Sequence, residues 1–231
     1  MIVDLHVHTA RGGYDSMLRV PQLIEEAEMK GIGVVCLTEH TYAWDRKELN
    51  RFVSDHRVVL IPGMEIETDM GHIVVFGLDR YVSGIHKVKT LRRIANEMGG
   101  FLVLVHPFRR YFEPEDFGIK PKRSWSQVIA DALELPILGL VDEIEVLNGG
   151  CTGRENLLAL EVAKGLGMRG TGGSDAHSEN GIGYYATVFE REIRSESDLI
   201  AELKVGRFYP AKRLHSGEMI PYSDEAPLGW L

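Results

Sequence analysis

The first apolar run of the chain ends in the sequence DLHVHT at residues 4–9, and this pattern indicates both the fold and the kind of site. Alternate residues of a β-strand share a face, so His6 and His8 point in the same direction. Far downstream, the sequence SDAH at residues 174–177 repeats the spacing with an aspartate and a histidine. Two imidazoles on one face are costly to bury without a partner, but they suit a divalent metal ion well. The two segments together predict a metal site.

The composition of the 231 residues is that of an ordinary globular protein, with 44% hydrophobic and 26% charged residues. This length fits one large α/β domain, and we expect a single domain over residues 1–231. The net charge of −8 argues against a broadly basic surface, so we expect no stable complex with nucleic acid. The sequence leaves the oligomeric state open.

The sequence favours a reducing compartment. Cys36 and Cys151 are too few for a disulfide framework, and neither lies in a Cys-x-x-Cys spacing. No apolar run approaches membrane-spanning length, and the first residues start a strand directly instead of a leader pattern. We therefore expect a cytoplasmic protein with no membrane partner.

Apolar runs of strand length alternate with helical patterns along the chain. The strand candidates are Met1–Val7, Gly33–Thr38, Val58–Ile66, His72–Leu78, Phe101–Val105, Glu143–Leu147, Met168–Gly172 and Tyr184–Phe189. Helices are expected at residues 21–30 and 85–98, after a capping box at Ser124, and after Ser195. About seven or eight strand–helix steps predict a (β/α) barrel or a close variant.

One pair of strand candidates breaks this alternation. Only a short turn joins residues 58–66 to residues 72–78, so we expect a local antiparallel pair there. The barrel is therefore expected to depart from a regular eightfold one.

Polar residues lie at or just beyond the carboxyl ends of the strand candidates. They are His8, His40, Glu65, His106, Asn148 and Asp175. In a parallel barrel these ends converge on one mouth, where active sites are built. Histidines His56, His86 and His215 lie instead in helix or loop contexts and are interpreted as solvated or capping residues.

The ordered set of motifs resembles the PHP (polymerase and histidinol phosphatase) superfamily. The motifs are DLHVHT at 4–9, TEH at 38–40, GME at 63–65, GH at 71–72, HP at 106–107 and SDAH at 174–177. The resemblance implies an α/β fold, namely a distorted (β/α)7 TIM-like barrel. It also implies two or three divalent metal ions at the C-terminal ends of the strands and hydrolysis of phosphoesters.

By the same resemblance, nine residues are the expected metal ligands. They are His6, His8, Asp15, His40, Glu65, His72, His106, Asp175 and His177. One metal would take His6, His8, Glu65 and Asp175. A second would share Glu65 and add His72 and His106, and a third would take Asp15, His40 and His177. The family's usual Thr-Asp-His is Thr-Glu-His here, with Glu39 in place of the aspartate.

The chemistry of these residue types fits the expected reaction. Mixed imidazole and carboxylate ligands suit Zn, Mn or Fe and are a poor match to Ca or Mg alone. Two-metal sites activate water and stabilise charge on a phosphoryl group, so no serine or cysteine nucleophile is required. We assign the catalytic roles to Glu65, Asp175 and His177.

A small phosphorylated substrate is the expected partner, and its phosphate needs positive charge. Arg109 and Arg110 directly follow His106-Pro107, and Arg11 lies in the loop after His8. These three arginines are the predicted phosphate ligands. Residues 107–124 form a long loop with Tyr111, Phe112 and Phe117, which we interpret as a lid or a substrate wall.

Two other classes of protein remain open at this point. An amidohydrolase that cleaves a C–N bond also begins with His-x-His, but it usually uses a bridging carbamylated lysine or a carboxylate from a middle strand. A non-catalytic metal-binding PHP module is the second alternative. Substrate identity and the preference for monoesters or diesters are left undecided by the sequence.

Overall fold

A computed structural model describes residues 1–12, 15–40, 42–112 and 123–223 of the chain. Its strands are β1 (Ile2–Val7), β2 (Val34–Glu39), β3 (Val59–Thr68), β4 (Gly71–Phe76), β5 (Phe101–Leu104), β6 (Glu143–Asn148), β7 (Thr171–Gly173), β8 (Tyr185–Phe189), β9 (Phe208–Arg213) and β10 (Met219–Pro221). Its α-helices are α1 (Val20–Met29), α2 (Arg46–Phe52), α3 (Val88–Met98), α4 (Trp125–Leu133), α5 (Gly153–Gly165) and α6 (Glu196–Val205). Short 3-10 helices span Pro136–Leu140 and Glu179–Gly181.

The described strands form one mixed sheet in the order β10-β9-β8-β1-β2-β3-β4-β5-β6-β7. Strands β1, β2 and β3 are parallel to one another, and so are β5, β6 and β7. Strand β4 runs antiparallel to both of its neighbours. On the other side of β1, the strands β8, β9 and β10 pair antiparallel.

The sheet curls until the end of β7 meets β1. The backbone N–H of Asp175 donates to the carbonyl of His6 at 2.7 Å, and that of His8 donates to the carbonyl of Ala176 at 3.0 Å. Gly172 also donates its N–H to the hydroxyl of Thr187 on β8 at 2.9 Å. The carboxyl ends of the first and last strands of the curl are therefore side by side.

The expected fold is confirmed in its coarser form, an α/β fold with a curled mixed sheet. The exact (β/α)7 count is not confirmed, because β4 follows β3 without a helix and points the opposite way. The antiparallel pair expected between residues 58–66 and 72–78 is confirmed, with Glu65 opposite Val74. Strands β9 and β10 were not predicted from the sequence.

Helices cover the sheet with apolar side chains. The largest core cluster includes residues of α3, α4 and α5 packed with residues of β3 to β6, and smaller clusters pack α1, α2 and α6. Burying one leucine or isoleucine side chain contributes about 1.5–3 kcal/mol, so these faces fix the helices on the sheet. The predicted capping box of α4 is present, with Ser124 and Gln127 as its two members. Ser195 likewise accepts the N–H of Asp198 at the start of α6.

Within the described ranges, every helix is too short or too polar to cross a membrane. The predicted lid or substrate wall at residues 107–124 is described only in part. Phe117 and the rest of residues 113–122 lie outside the described residues.

Candidate metal centre

One edge of the sheet gathers the nine predicted donors. His6 lies on β1 and Glu65 on β3, while His8, His40, His106, Asp175 and His177 lie just beyond strand ends. His72 reaches the same edge because β4 is reversed and begins where its neighbours end. Asp15 comes from the loop between β1 and α1. The strand ends thus bring together side chains that are up to 171 positions apart, from His6 to His177.

Four donors form what we call the inner cluster: His6, His8, Glu65 and Asp175. The Nε2 atom of His8 lies 3.1 Å from Nε2 of His6, 3.2 Å from Oε2 of Glu65 and 3.3 Å from Oδ1 of Asp175. The Nε2 atom of His6 lies 3.5 and 3.6 Å from the same two oxygens. Ligand atoms about 2.1 Å from a tetrahedral metal ion are about 3.4 Å apart. The four atoms therefore have the spacing of a metal site.

The second oxygen of Glu65 belongs to a middle cluster with His72 and His106. Its Oε1 atom lies 2.8 Å from Nδ1 of His72 and 2.9 Å from Nε2 of His106. Glu65 is buried, and its two oxygens face different groups of imidazoles. This is the arrangement of a carboxylate that bridges two ions, which in two-metal sites lie about 4 Å apart.

Three further donors form an outer cluster: Asp15, His40 and His177. The Oδ2 atom of Asp15 lies 3.0 Å from Nε2 of His40 and 3.3 Å from Nε2 of His177. The other ring nitrogen of His40 lies 3.2 Å from Oε2 of Glu65, so the outer cluster touches the inner one. Its side chains are 31–46% exposed, whereas those of the inner cluster are 1–4% exposed.

The chemistry of these donors fits a metal ion. Groups able to hold an ion include His8 with His40 and His177, His6 with His8 and Asp175, and His6 with Glu65 and His106. All the donor atoms are imidazole nitrogens or carboxylate oxygens, the types that Zn, Mn and Fe accept. The expectation that the chain binds metal is thus supported by its geometry, while the identity of the metal stays a prediction.

Electrostatics keep the carboxylates of the inner cluster ionised. Burial would raise the pKa of Asp175, but the nearby His6 imidazole and other cations hold it well below its usual range. Burial would likewise raise the pKa of Glu65, but hydrogen bonds from His106 and other imidazoles hold it well below. Burial would lower the pKa of His6, but Asp175 and Glu145 raise it well above its usual value. Without metal, the cluster therefore carries protons that a metal ion would displace.

Backbone strain is concentrated at this edge of the sheet. Two of the predicted donors have left-handed backbone conformations, His106 with φ 33° and Asp175 with φ 52°. Arg110 shares this conformation with φ 61°. Non-glycine residues in such regions cost about 1–3 kcal/mol each and cluster at functional sites. The strain agrees with a functional role for this edge.

The three predicted phosphate ligands have different surroundings. Arg109 donates through Nη2 to Asn148 at 2.8 Å and forms an ion pair with Asp175. Arg110 is exposed beside it. Arg11 forms an ion pair with Glu48 of α2 and stacks on aromatic rings beyond β2. For all three arginines, phosphate binding stays a prediction.

Two cavities flank the arginine pair. The first has about 660 Å³ and is lined by Asp175 and His177 together with Arg109 and Arg110. The second has about 670 Å³ and is lined by His72 and His106, the same two arginines, and apolar residues around the 3-10 helix Pro136–Leu140. The described residues thus leave room for a small molecule on both sides of the arginines.

Two buried carboxylates near the donors have structural partners. Glu39, the residue that differs from the family's usual aspartate, accepts hydrogen bonds from the backbone and hydroxyl of Thr9 and from Nε1 of Trp44. It thereby fixes the chain next to His8. Glu145 accepts from Nδ1 of His6 at 3.1 Å and was not singled out from the sequence. The alternating pattern EIEVLN of β6 was the available signal, because it places a glutamate on the same strand as Asn148.

The chain belongs to the PHP domain family. That family matches residues 4–162, which is more than half of the 231 residues. A family described as PHP-associated matches residues 153–208. The resemblance of the sequence motifs is therefore confirmed.

Relatives and solved structures extend this result. The uncharacterized protein MJ1587 of Methanocaldococcus jannaschii is 30% identical over 118 residues, which are 47% of this chain and 68% of that protein. PsfC from Pseudomonas syringae superposes with a TM-score of 0.63 at 19% identity, covering 94% of this chain and 93% of its own. A candidate metal-dependent phosphoesterase from Bifidobacterium adolescentis superposes with a TM-score of 0.57 at 15% identity, covering 88% and 96%.

Two further structures have other descriptions. The lesion-specific endonuclease PfuEndoQ from Pyrococcus furiosus gives a TM-score of 0.58 at 15% identity, covering 92% of this chain and 59% of that longer one. An amidohydrolase from Chromobacterium violaceum gives a TM-score of 0.51 at 17% identity, covering 76% and 87%. At such identities the likeness shows the fold alone.

Proposed function

We propose that this chain is a metal-dependent phosphoesterase that hydrolyses a phosphomonoester or phosphodiester. One observation carries the proposal: nine imidazole and carboxylate donors from distant parts of the chain converge in three adjoining clusters. Membership of the PHP domain family supports the same reaction class. Candidate substrates are a nucleotide, a short oligonucleotide or a small phosphorylated metabolite.

The inner cluster would hold one ion and the middle cluster a second, with Glu65 shared between them. The outer cluster would hold a third. When bound, divalent ions at such sites activate water and neutralise charge on the phosphoryl group. Glu65 and Asp175 supply the negative charge that keeps ions in place, and burial excludes bulk water from the inner donors. His177 and Asp15 are more exposed, so they face an arriving substrate.

Substrate binding would fall to the cavities on either side of Arg109 and Arg110. An arginine binds phosphate oxygens through charge-assisted, often paired hydrogen bonds. Both arginines line these cavities, and Arg110 is the more exposed of the two. Each cavity also includes donors of the metal clusters, which places both of them next to the proposed reacting centre.

Turnover screening tests the proposal. The purified protein is stripped of metal, loaded separately with Zn, Mn or Fe, and offered p-nitrophenyl phosphate, bis(p-nitrophenyl) phosphate and an acyl p-nitroanilide. We expect metal-dependent release of p-nitrophenol from at least one phosphoester. Release from the anilide alone would favour the amidohydrolase alternative, which the likeness to the Chromobacterium violaceum structure keeps in consideration. No turnover of any substrate by the loaded protein would favour the non-catalytic module.

A further inference from the structure

Glu145 is a buried carboxylate directly behind the inner cluster. It lies on β6, which carries none of the nine predicted donors, and it is 2% exposed. A buried carboxylate is costly unless it is fully hydrogen-bonded. Both of its oxygens have partners, and each partner leads to the metal centre.

The first oxygen of Glu145 fixes the orientation and the tautomer of the His6 imidazole. Its Oε1 atom lies 3.1 Å from Nδ1 of His6. An ionised carboxylate can only accept a hydrogen bond, so the imidazole carries a proton on Nδ1. The Nε2 atom of His6 faces His8, Glu65 and Asp175, so it is the nitrogen that would offer its lone pair to a metal ion. His8 offers a contrast, since its buried Nδ1 has no hydrogen-bond partner among the described residues.

The second oxygen of Glu145 connects to the opposite side of the cluster. Its Oε2 atom accepts the backbone N–H of His106 at 2.9 Å and the side-chain amide of Asn148 at 2.8 Å. The amide oxygen of Asn148 in turn accepts Nη2 of Arg109 at 2.8 Å. That same nitrogen is paired with Asp175. A continuous chain of polar contacts therefore leads from one inner-cluster donor, through β6, to another.

The surrounding structure leaves this chain of contacts little freedom. Asn156 of α5 bonds both the backbone N–H and the carbonyl of Asn148, at 3.1 and 3.2 Å. Gly173 of β7 passes so close that a Cβ there would lie 2.5 Å from Cβ of His6 and 2.6 Å from Oε1 of Glu145. Only glycine leaves room for this contact.

We propose that Glu145 is a positioning residue for the inner cluster, which acts on His6 directly and on Asp175 through Asn148 and Arg109. Partners of this kind select the tautomer and orientation of a ligating histidine, and their loss typically weakens metal binding about 10–100-fold. The inference rests on the metal site of the proposed function but requires nothing of the reaction.

The test compares two buried glutamates on the same strand. In Glu145→Gln, the shape is kept, but the NH2 group of the new amide faces Nδ1 of His6. This favours the tautomer that carries its proton on Nε2, and that nitrogen then has no lone pair for a metal ion. Glu143→Gln is the matched control. Glu143 is also buried, and its carboxylate accepts only backbone N–H groups, from Ile144, Arg169 and Gly170, in the described structure. Zinc affinities are measured by competition with a chromogenic chelator, and thermal unfolding of the metal-free proteins is recorded in parallel.

We expect Glu145→Gln to weaken the tightest zinc equivalent about 10–100-fold and to leave the weakest equivalent, assigned to the outer cluster, unchanged. Glu143→Gln should keep all zinc affinities. Glu145→Asp keeps the charge but withdraws the carboxylate from His6, so it should also weaken the tightest zinc equivalent. This variant replaces Glu145→Gln in the test if Glu145→Gln fails to fold. Wild-type zinc affinity in the folded Glu145 variants, or an equal loss in Glu143→Gln, would overturn the proposal. Because zinc binding is measured without a substrate, a failed turnover screen would leave this result intact.

Discussion

The inner and outer clusters use the same residue types in opposite surroundings. His6, His8, Glu65 and Asp175 are almost completely buried, while the donors of the outer cluster are about a third to a half exposed. The inner donors come from strands or residues tied to strands by backbone hydrogen bonds. Asp15 comes from a loop and directly follows residues 13–14, which lie outside the described residues.

This difference predicts a difference in metal binding. A buried site pays little ordering entropy when metal binds, because packing already fixes its side chains. An exposed site must order its side chains and compete with water for the ion. We therefore expect the inner cluster to bind metal first and the outer cluster to lose it first.

The largest effect is expected where the clusters meet, at Glu65. Glu65→Gln removes the charge that faces both the inner and the middle cluster, so metal binding to both should be lost. Metal activation is worth several kcal/mol, so turnover of any phosphoester substrate should fall by about 10³-fold or more. Elemental analysis and steady-state kinetics measure the two losses.

An exposed glutamate provides the control for this variant. Glu97→Gln on α3 changes the same charge far from the clusters, and it should behave as wild type. Near-normal turnover or full metal content in Glu65→Gln would show that Glu65 does not bridge two ions.

A smaller and more selective effect is expected at Asp15. Asp15→Asn removes the carboxylate that joins His40 to His177, so the outer site should bind zinc more weakly by at least the roughly 10–100-fold that follows loss of a ligand's outer partner. The inner affinity should not change. Stepwise removal by a chelator, followed by elemental analysis, measures both. Loss of the tightest zinc equivalent in this variant would mean that the clusters do not bind metal independently.

Variants of the two neighbouring arginines are expected to affect metal binding and substrate binding differently. Arg109→Ala removes the ion pair to Asp175, so it should weaken the tightest metal equivalent as well as turnover. Arg110→Ala should leave metal content unchanged and raise KM about tenfold, as expected for a lost charge-assisted hydrogen bond to phosphate. Chelator competition and kinetics of both variants provide the measurement. Unchanged KM in Arg110→Ala would leave Arg110 as a surface residue.

The smallest expected effect concerns pH and the metal-free protein. Hydrogen bonding to Glu65, with help from Asp15, raises the pKa of His40 to about 9 despite partial burial. Because the folded pKa exceeds the unfolded value of about 6.5, this stabilisation is complete below about pH 6.5 and is lost as the pH rises through about 9. Zinc should act in the opposite sense, since its binding displaces protons and strengthens with pH.

Thermal unfolding at several pH values tests this prediction. The Tm advantage of the metal-free wild type over His40→Gln should shrink from pH 6.5 to pH 9, while the Tm increase caused by zinc should grow. An advantage that is constant over this range would contradict the assignment of the raised pKa to His40.

Much of the site could be predicted because its donors stand at strand ends. A strand end is visible as the last residue of an apolar run, and parallel strands end at one edge. This rule brings His8, His40 and His106 together, and the reversed pair β3–β4 adds His72. The sequence assigned His72 to a metal site only through the family resemblance.

Other features left weaker signals in the sequence. Glu145 looks like an ordinary polar residue in a strand, and its role depends on contacts with His6 of β1 and with the backbone of His106, beyond β5, that alternation does not encode. The ion pair of Arg11 with Glu48 joins a loop to a helix that was not predicted. Strand β9 contains Pro210 and two basic residues, and β10 has three residues, so neither forms an apolar run. These additional strands and the reversed β4 also explain why the expected (β/α)7 count was not confirmed.

The most direct test of the account is a metal titration of activity. The metal-free chain is supplied with increasing equivalents of the activating metal, and phosphoester hydrolysis is measured at each point. We predict no hydrolysis without metal and a rise as the inner and middle clusters fill, with the outer cluster filling last. Hydrolysis that is independent of metal, or a fully loaded protein that hydrolyses no phosphoester, would contradict it.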